Sequence, residues 1–494
     1  MKGSAVACML ALAGVVRGAP VVRSGATGVT PVDLRVNYLD TPLGIDDLTP
    51  TFSWKVAAPE GTRGAVASCS LAVKEEGALE AVLSAPSNAT QFVPLPAGVT
   101  LKSDTSYTYT VTCTGGSATA SFSTGLLEAS DWAGADWISS TNNAAVLMRK
   151  KFTVAGEVTR ARIFVAVPGY GQVSLNGQDV DGEAGTRTWS QYDMRTLYHT
   201  YDVTKHLKSG ENVFGLHIGE GWYGMWGYGN PTAKAVLRYT SGDKTTTVVT
   251  DGSWTEGASP VLMDSEYNGV TYDANQETEG WDTAACAACS SWTPVTTGAT
   301  AAPKIANTTL SSASFAPVKP MHRFTAKWMR EPSPGTYVFD FTQNIAGWVK
   351  LKIKGTKNTT VTLRHAEALM HPPYGPRDGN IYVGNLRSAK ATDTYILKGD
   401  PEGEEFTPVF TQHGFRYVEM KITGTDDPTP PSLDMLEAIN IRSGLEQSGT
   451  AAFSDLMLNQ VQHNILWGQA DNLMMVPTDC DNRDERLGCE YTHT

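Results

Sequence analysis

Apolar and polar residues alternate in short runs along most of the chain. Tyr107–Cys113, Gly335–Phe341 and Phe415–Ile422 each show the period of two that a half-buried β-strand requires. Clusters of Gly, Pro and Ser separate these runs, and helical periodicity is missing from them. The pattern therefore predicts a mainly β protein that is built from tandem antiparallel β-sandwiches.

Breaks in this pattern divide the β region into three units. In residues 28–126, the stretch Leu101–Val111 resembles the tyrosine-bearing late strand of an immunoglobulin or fibronectin type III sandwich. Residues 140–315 contain many short strands and an Asn-Gly turn signal at 176–177, which favours a jelly-roll sandwich. Residues 320–445 continue the alternation and predict a further sandwich.

The period changes near the end of the sequence. The Ser-Asp pair at 454–455 suits the N-cap of a helix, and Leu458, Val461 and Ile465 then recur at helical spacing. Residues 446–494 are therefore expected to begin a helical domain.

Length and charge narrow the class of protein. The chain has 494 residues, which suggests about three domains. Its 51 acidic and 39 basic residues give a net charge of −12 without a basic run, so we predict no nucleic-acid partner. Beyond the N-terminus no apolar stretch reaches the roughly 18 residues of a membrane span, so no membrane partner is predicted either.

The N-terminus has the features of a secretory signal. Lys2 precedes the apolar run Ala5–Val16, and the small residues Gly18 and Ala19 follow it. We therefore expect residues 1–19 to be removed and the protein to be secreted. The alternative is that this run is a buried apolar segment.

The cysteines fit an oxidising compartment. Cys69 and Cys113 lie on predicted strands, where a cross-sheet disulfide is reasonable. Cys286 and Cys289 form a Cys-x-x-Cys pair in a loop, either as a local disulfide or as free thiols. Because no His pair accompanies the cysteines, we predict no metal. Candidate acceptors for N-glycosylation are Asn88, Asn307 and Asn358.

The densest cluster of charge lies at Pro477–Gly488. A run of this kind is often a solvated loop. An EF-hand is a poor fit, because Arg483 occupies the fifth position and no Gly follows it. The chemical alternative is a glycosidase site, in which one carboxyl group donates a proton to the leaving oxygen and arginines orient the sugar.

Motifs in the family's order identify the chain as resembling the bacterial-type α-L-rhamnosidases of glycoside hydrolase family 78. The matching stretches are Tyr198–Thr204, Gly219–Tyr223, Tyr272–Asn275, Phe339–Asn344, Arg364–Glu367, Asn385–Asp393, His413–Val418, Thr478–Cys480 and Arg483–Gly488. The resemblance implies a jelly-roll domain at 140–315, a concanavalin-like sandwich at 320–445 and the start of an (α/α)6 catalytic barrel at 446–494.

The resemblance also implies the chemistry. Members of this family hydrolyse terminal α-L-rhamnosides with inversion and without a cofactor. Their motifs place the general acid at Glu485 and rhamnose-binding side chains at Asp479 and Arg483. The general base is another glutamate, far downstream in the barrel and absent from this chain.

The sequence departs from the family at its C-terminal end. Asp481 stands where the family has Pro, and Cys489 stands where it has Trp. A complete barrel needs on the order of 250–350 residues, so the chain is expected to be a truncated enzyme that is inactive by itself. We also expect Glu485 to face open water, with a pKa near that of a free glutamate.

The alternative function is a secreted, non-catalytic carbohydrate-binding protein derived from a rhamnosidase. Trp222, Tyr223, Trp226 and Tyr228 could stack on sugar faces, or they could instead pack between strands. The sequence does not specify the aglycone, the oligomeric state or the pairing of Cys286, Cys289, Cys480 and Cys489.

Overall fold

A computed structural model of the chain describes residues 28–58, 68–142 and 144–486. The predicted signal segment 1–19 and Cys489 lie outside these residues. The chain divides into two compact units, of which the smaller comprises the described residues up to Pro42 together with Asp47–Thr124. Within the described ranges, no helix has the length and apolar character needed to cross a bilayer.

The smaller unit is a two-sheet sandwich. One sheet has the order β1-β2-β5 and the other β4-β3-β6-β7. Its strands are β1 Thr30–Val36, β2 Thr51–Ala57, β3 Ser70–Glu75, β4 Val82–Leu83, β5 Val93–Pro94, β6 Ser106–Cys113 and β7 Gly116–Ser123.

Aromatic residues on alternating positions fill this sandwich. Phe52 meets Tyr109 edge-on, with ring centroids 5.0 Å apart, and both rings are buried. The hydroxyl of Tyr107 accepts a hydrogen bond from the Lys102 N–H at 2.8 Å. This contact matches the tyrosine corner of immunoglobulin-like folds, as the Tyr-bearing strand predicts.

Cys69 and Cys113 form a disulfide with Cα atoms 4.2 Å apart. Ser70 on β3 pairs with Thr112 on β6, so the two cysteines belong to neighbouring strands of one sheet. The expected Cys69–Cys113 disulfide is thus present, but it joins neighbouring strands of one sheet and does not cross between the two sheets. Strand alternation identifies a strand, but it does not identify the strand that pairs with it.

The larger unit begins with two facing seven-stranded sheets. Their orders are β22-β8-β16-β10-β14-β23, with β17 beside β16, and β12-β11-β15-β9-β18-β21, with β13 beside β11. The strands are β8 Ile138–Ser139, β9 Val146–Val154, β10 Val158–Ala166, β11 Gly169–Leu175, β12 Gln178–Asp179, β13 Thr186–Thr188, β14 Arg195–Asp202, β15 Gly210–Gly219, β16 Thr232–Ser241, β17 Lys244–Val249, β18 Thr255–Ala258, β21 Thr293–Pro294, β22 Thr296–Thr297 and β23 Thr309–Ser312.

The predicted hairpin at 176–177 joins β11 to β12. Asn176 and Gly177 have φ angles of 55° and 79°, and Leu175 pairs with Gln178 across the turn. Positive φ at both central residues is the geometry that an Asn-Gly pair favours.

A ten-stranded sheet follows, in the order β19-β20-β30-β27-β32-β26-β33-β24, with β25 and β31 beside β26. Its strands, with the short pairs β28–β29 and β34–β35, are β19 Val261–Ser265, β20 Gly269–Asp273, β24 Val318–Thr325, β25 Trp328–Ser333, β26 Thr336–Ile353, β27 Thr360–Ala366, β28 Ala368–Leu369, β29 Ile381–Tyr382, β30 Thr392–Ile396, β31 Glu404–Phe406, β32 His413–Thr423, β33 Leu436–Ser443, β34 Leu473–Met474 and β35 Val476–Pro477.

Strands β19 and β20 lie within the predicted second unit, 140–315, but belong to the sheet of the third. β20 runs parallel to β30, with Thr271 opposite Thr394. A parallel partner more than a hundred residues away leaves no local signal in the sequence.

Two α-helices and several 3-10 turns complete the described residues. They are α1 Gly221–Met225 and α2 Leu456–Asp471, with 3-10 turns at Ala129–Trp132, Ala274–Gln276, Ala288–Ser291, Gly298–Thr300, Gly384–Leu386 and Leu433–Met435. Helix α2 begins where the sequence predicts it, because the Asp455 carboxylate accepts the Met457 N–H at 2.8 Å.

Candidate active site

The acidic segment, which we define as residues 478–486, follows the β34–β35 hairpin and lies against the ten-stranded sheet. The carbonyl of Asp481 accepts the Gly414 N–H at 3.1 Å, at the start of β32. A Cβ atom on Gly414 would lie 2.6 Å from the Asp481 Cγ atom, so only glycine permits this close approach. The segment is thus packed on the sheet, which does not fit a solvated loop.

Two arginines hold the carboxylate of Glu485. Arg483 donates from Nε at 3.0 Å and from Nη2 at 2.8 Å to Oε2, and Arg387 donates from Nη1 to Oε1. The Glu485 side chain is 33% exposed. Of the other predicted site residues, Asp479 is partly exposed on the same segment. The predicted acid and one predicted sugar-binding residue are therefore in direct contact.

These bonds change the protonation of Glu485. Its pKa is held below the ordinary glutamate value, first by the hydrogen bond from Arg483 and then by that from Arg387. The expectation of a pKa near that of a free glutamate was wrong, because it left out both arginines. In this arrangement Glu485 is a carboxylate at neutral pH, and a proton donor would need this pKa to rise.

Arg387 and Ser388 reach the acidic segment from what we call the Arg387 loop, residues 384–391. Ser388 donates from its N–H, at 3.3 Å, and from its hydroxyl to Asp484 Oδ2. The loop belongs to the stretch Asn385–Asp393, which matches a motif of the family, but the resemblance implied no role for it. Its 98-residue separation from Glu485 leaves no spacing signal that could have joined the two.

Arg486 anchors the acidic segment from within the protein. Its guanidinium is buried and donates from Nη1 to the carbonyls of Glu266 and Gln412, while Nε donates to the Arg483 carbonyl at 3.1 Å. Burial lowers its pKa, and the nearby Glu266 carboxylate opposes that effect. The side chains of these two neighbouring residues therefore point in opposite directions. That of Glu485 points towards solvent and that of Arg486 into the core.

Asp481, which departs from the family pattern, is also buried. Its Oδ2 atom has no hydrogen-bond partner. Burial raises the pKa of this carboxyl well above its ordinary value, and the nearby acids Asp471 and Glu367 raise it further. Glu367 in turn accepts hydrogen bonds from the side-chain amides of Asn344 and Asn385, at 2.9 and 3.0 Å.

One cluster in the described part of the chain has ligand types that a metal could use, namely His365, Asp393 and His413. His413 Nε2 lies 3.1 Å from both Asp393 oxygens, and burial lowers the pKa of His365 to about 3. The two imidazole rings are stacked with centroids 4.1 Å apart, and His365 Nε2 lies 3.8 Å from Asp393 Oδ2. We interpret the cluster as a hydrogen-bonded part of the core, and the absence of a metal stays a prediction.

The described cysteines outside the smaller unit divide into a pair and a single thiol. Cys286 and Cys289 form a local disulfide with Cα atoms 5.5 Å apart. Cys480 is unpaired, and burial, followed by interaction with Glu485, raises its pKa. Asn88, Asn307 and Asn358 all lie on the surface.

The aromatic residues that could stack on sugars are mostly inside the protein. Trp222 and Tyr223 are buried, and Tyr192 packs edge-on against Tyr223 with centroids 5.5 Å apart. Trp226 is 55% exposed. Packing thus accounts for Trp222 and Tyr223, which weakens the carbohydrate-binding alternative.

Four family models match consecutive parts of the chain. They describe a Rha78A-like N-terminal immunoglobulin domain (residues 31–128), an α-L-rhamnosidase N-terminal domain (156–321), a bacterial α-L-rhamnosidase concanavalin-like domain (330–441) and the six-hairpin glycosidase domain of the same enzymes (446–492). The chain belongs to the bacterial α-L-rhamnosidase family. The segment with Glu485 lies within the match to the six-hairpin glycosidase domain.

Known rhamnosidases are similar over most of this chain. An α-L-rhamnosidase of Streptomyces avermitilis is 36% identical over 372 residues, which cover 73% of this chain and 35% of that protein. Solved α-L-rhamnosidases from Dictyoglumus thermophilum and Aspergillus terreus are each 28% identical, with TM-scores of 0.83 and 0.81, and the match covers 93% of this chain and 54% of theirs. This rhamnosidase-family chain spans 35–42% of the curated relatives that it matches.

Proposed function

We propose that this protein acts as an α-L-rhamnosidase, which removes terminal α-L-rhamnose from rhamnosides by acid–base hydrolysis. The observation that carries the proposal is the position of Glu485, bound by Arg483, within the match to the six-hairpin glycosidase domain. Inverting hydrolysis needs one carboxyl group as the proton donor and a second to activate water. Glu485 would supply the first, and the second would be the glutamate that the resemblance implies further along the helical domain.

Asp479 and Arg483 would bind rhamnose beside the donor. Arg483 now uses Nε and Nη2 on the Glu485 carboxylate. Sugar hydroxyls that accept from these nitrogens would withdraw the arginine, and the pKa of Glu485 would then rise. Substrate binding and protonation of the acid would therefore be coupled.

Turnover of an aryl α-L-rhamnoside tests the proposal. We expect no turnover by the 494 residues alone, and turnover when they are joined to the remaining helical domain of the Streptomyces avermitilis relative. Glu485→Gln should abolish this turnover, whereas Glu402→Gln, at an exposed position outside the site, should leave it unchanged. A folded fusion protein without activity, or activity that survives Glu485→Gln, would contradict the proposal.

We further propose that the protein is secreted and acts on rhamnose-containing glycosides or polysaccharides outside the cell. The disulfides at Cys69–Cys113 and Cys286–Cys289 support an oxidising compartment. N-terminal sequencing of protein from the culture medium should find residues 1–19 removed. Retention of the full N-terminus on the intracellular protein would contradict secretion.

A further inference from the structure

The Arg387 loop meets the acidic segment at two points and is fixed from behind. Leu386, Ala389 and Ala391 are buried in one apolar cluster, against which Tyr267 also packs. The Tyr267 hydroxyl in turn donates to the Glu485 carbonyl at 3.2 Å. The ten-stranded sheet therefore positions both the loop and the backbone of Glu485.

Arg387 itself is held in an unusual backbone conformation. Its φ and ψ angles are 56° and −116°, a left-handed region that side chains other than glycine rarely adopt. The side chain is 50% exposed and directs Nη1 to Glu485 Oε1, with the same atom 3.9 Å from Asp484 Oδ1. The strained backbone of Arg387 directs a cation to the proposed proton donor, Glu485. This arrangement indicates that Arg387 has a role at the site in addition to packing.

We propose that Arg387 is a positioning residue of the candidate active site. Its guanidinium holds Glu485 as a carboxylate until bound substrate displaces the guanidinium. Once the guanidinium moves away, Glu485 takes one proton from solvent and passes it to the glycosidic oxygen as the bond from that oxygen to the anomeric carbon breaks. Water that the second carboxylate deprotonates then supplies the new oxygen on the anomeric carbon. This last step rests on the proposed function, but the contact between Arg387 and Glu485 does not.

The other groups near Glu485 are accounted for. Its own segment contributes Arg483, Asp484 and the Cys480 thiol, and the β19–β20 connection contributes Tyr267. The cations are thus Arg483 from the same segment and Arg387 from the loop. Among the described residues named here, Arg387 is the cation that comes from outside the acidic segment, and its removal leaves Arg483 in place.

The structure provides two variants with opposite expectations. Arg387→Met should raise the pKa of Glu485 and have a smaller effect on Asp484. Ser388→Ala keeps the cation and removes the hydroxyl that is the first cause of the lowered pKa of Asp484, so it should raise the pKa of Asp484 and leave that of Glu485 in place. Arg387→Lys keeps the positive charge but lacks the planar guanidinium group. The pKa of Glu485 in this variant should therefore lie between its values in Arg387→Met and in the unaltered protein.

Carbon NMR of protein labelled at the Glu and Asp carboxyl carbons would follow both titrations, with Glu485→Gln and Asp484→Asn for assignment. An unchanged Glu485 titration in Arg387→Met, or an equal shift in Ser388→Ala, would overturn the proposal. If Arg387→Met does not fold, Arg387→Lys carries the test, and no shift in that variant would also overturn it. Absence of rhamnoside turnover together with the expected shifts would instead contradict only the proposed function.

In the active fusion protein, Arg387→Met should move the alkaline limb of the pH profile of kcat/KM to higher pH, because Glu485 of the free enzyme then keeps its proton further up the pH scale. Arg387→Lys should restore part of the original profile. A lower kcat/KM at every pH with an unmoved limb would show a merely structural role and would overturn the proposal.

Discussion

The ten-stranded sheet and helix α2 both carry regularly spaced apolar residues, but they bury them very differently. On strand β32, Phe415, Val418 and Met420 are fully buried. On helix α2, Leu458, Val461 and Ile465 are 49%, 47% and 59% exposed. Apolar spacing thus identifies the element in both cases, but burial depends on what other parts of the chain place against it.

The two ends of helix α2 also differ in how far they are packed against the sheet. At its C-terminal end, Trp467 packs on His322 with centroids 5.4 Å apart, and the Asp471 carboxylate accepts the Ala346 N–H at 3.0 Å. The β34–β35 hairpin connects this docked end to the acidic segment. The candidate site is therefore positioned by the sheet, and the exposed face of the helix contributes little to it within the described residues.

Truncation of a core aromatic residue in the sheet should have the largest effect on stability. Phe415 packs edge-on against Phe341 and His365, with centroids 6.0 and 4.8 Å away. Phe415→Ala should lower the free energy of unfolding by about 3–5 kcal/mol, because it opens a cavity. Ile465→Ala on the exposed helix face should change it by less than about 0.5 kcal/mol. Urea unfolding followed by tryptophan fluorescence measures both, and equal losses would contradict the comparison.

The docked end of helix α2 should also show a pH dependence. Burial raises the pKa of Asp471 to about 7, so the folded protein keeps a proton that the unfolded chain releases at a pKa near 3.9. Stability is thereby lost as pH rises from about 4 to 7.

Asp471→Asn cannot ionise but keeps an oxygen for the Ala346 N–H. Its stability relative to the unaltered protein should therefore increase across pH 4–7, by at most about 4 kcal/mol. Unfolding in urea at a series of pH values would measure this difference. A difference that stays constant with pH would show that Asp471 keeps an ordinary pKa in the folded state.

Two glycine substitutions extend the comparison to the backbone. Gly414→Ala should place a Cβ atom 2.6 Å from Asp481 Cγ and lower stability by about 1–3 kcal/mol. Gly468→Ala, in helix α2, meets no atom within 4 Å and should stabilise the helix by about 0.5–1 kcal/mol. Alkylation of Cys480 should also become faster in Gly414→Ala as the acidic segment shifts. In thermal unfolding, Gly414→Ala should lower the midpoint temperature and Gly468→Ala should raise it. A shift in the same direction for both variants would contradict the packing described here.

Local features were predictable from the sequence, whereas contacts between distant segments were not. The Asn176-Gly177 hairpin and the start of helix α2 depend on neighbouring residues, and both form where expected. The resemblance also placed Glu485 and Arg483 at one site. The role of Arg387 could not be predicted, because it depends on contact with a segment 98 residues away. The burial of Arg486 was unexpected for the same reason. Its hydrogen-bond partners lie far away in the sequence, and an arginine within an acidic run gives no sign of them.

The most local effect concerns the N-terminal end of helix α2, where the described hydrogen bonds join residues that are close in the sequence. Asp455→Ala removes the side-chain oxygen that accepts the Met457 N–H, and should destabilise the helix by about 1 kcal/mol. Amide hydrogen exchange should become faster in the first turn and stay unchanged near Asp471, because the docked end is held by the sheet. Ser454→Ala is the matched control, since Asp455 and not Ser454 is the N-cap. Faster exchange along the whole helix would show that its two ends are coupled, which the exposure of its apolar face argues against.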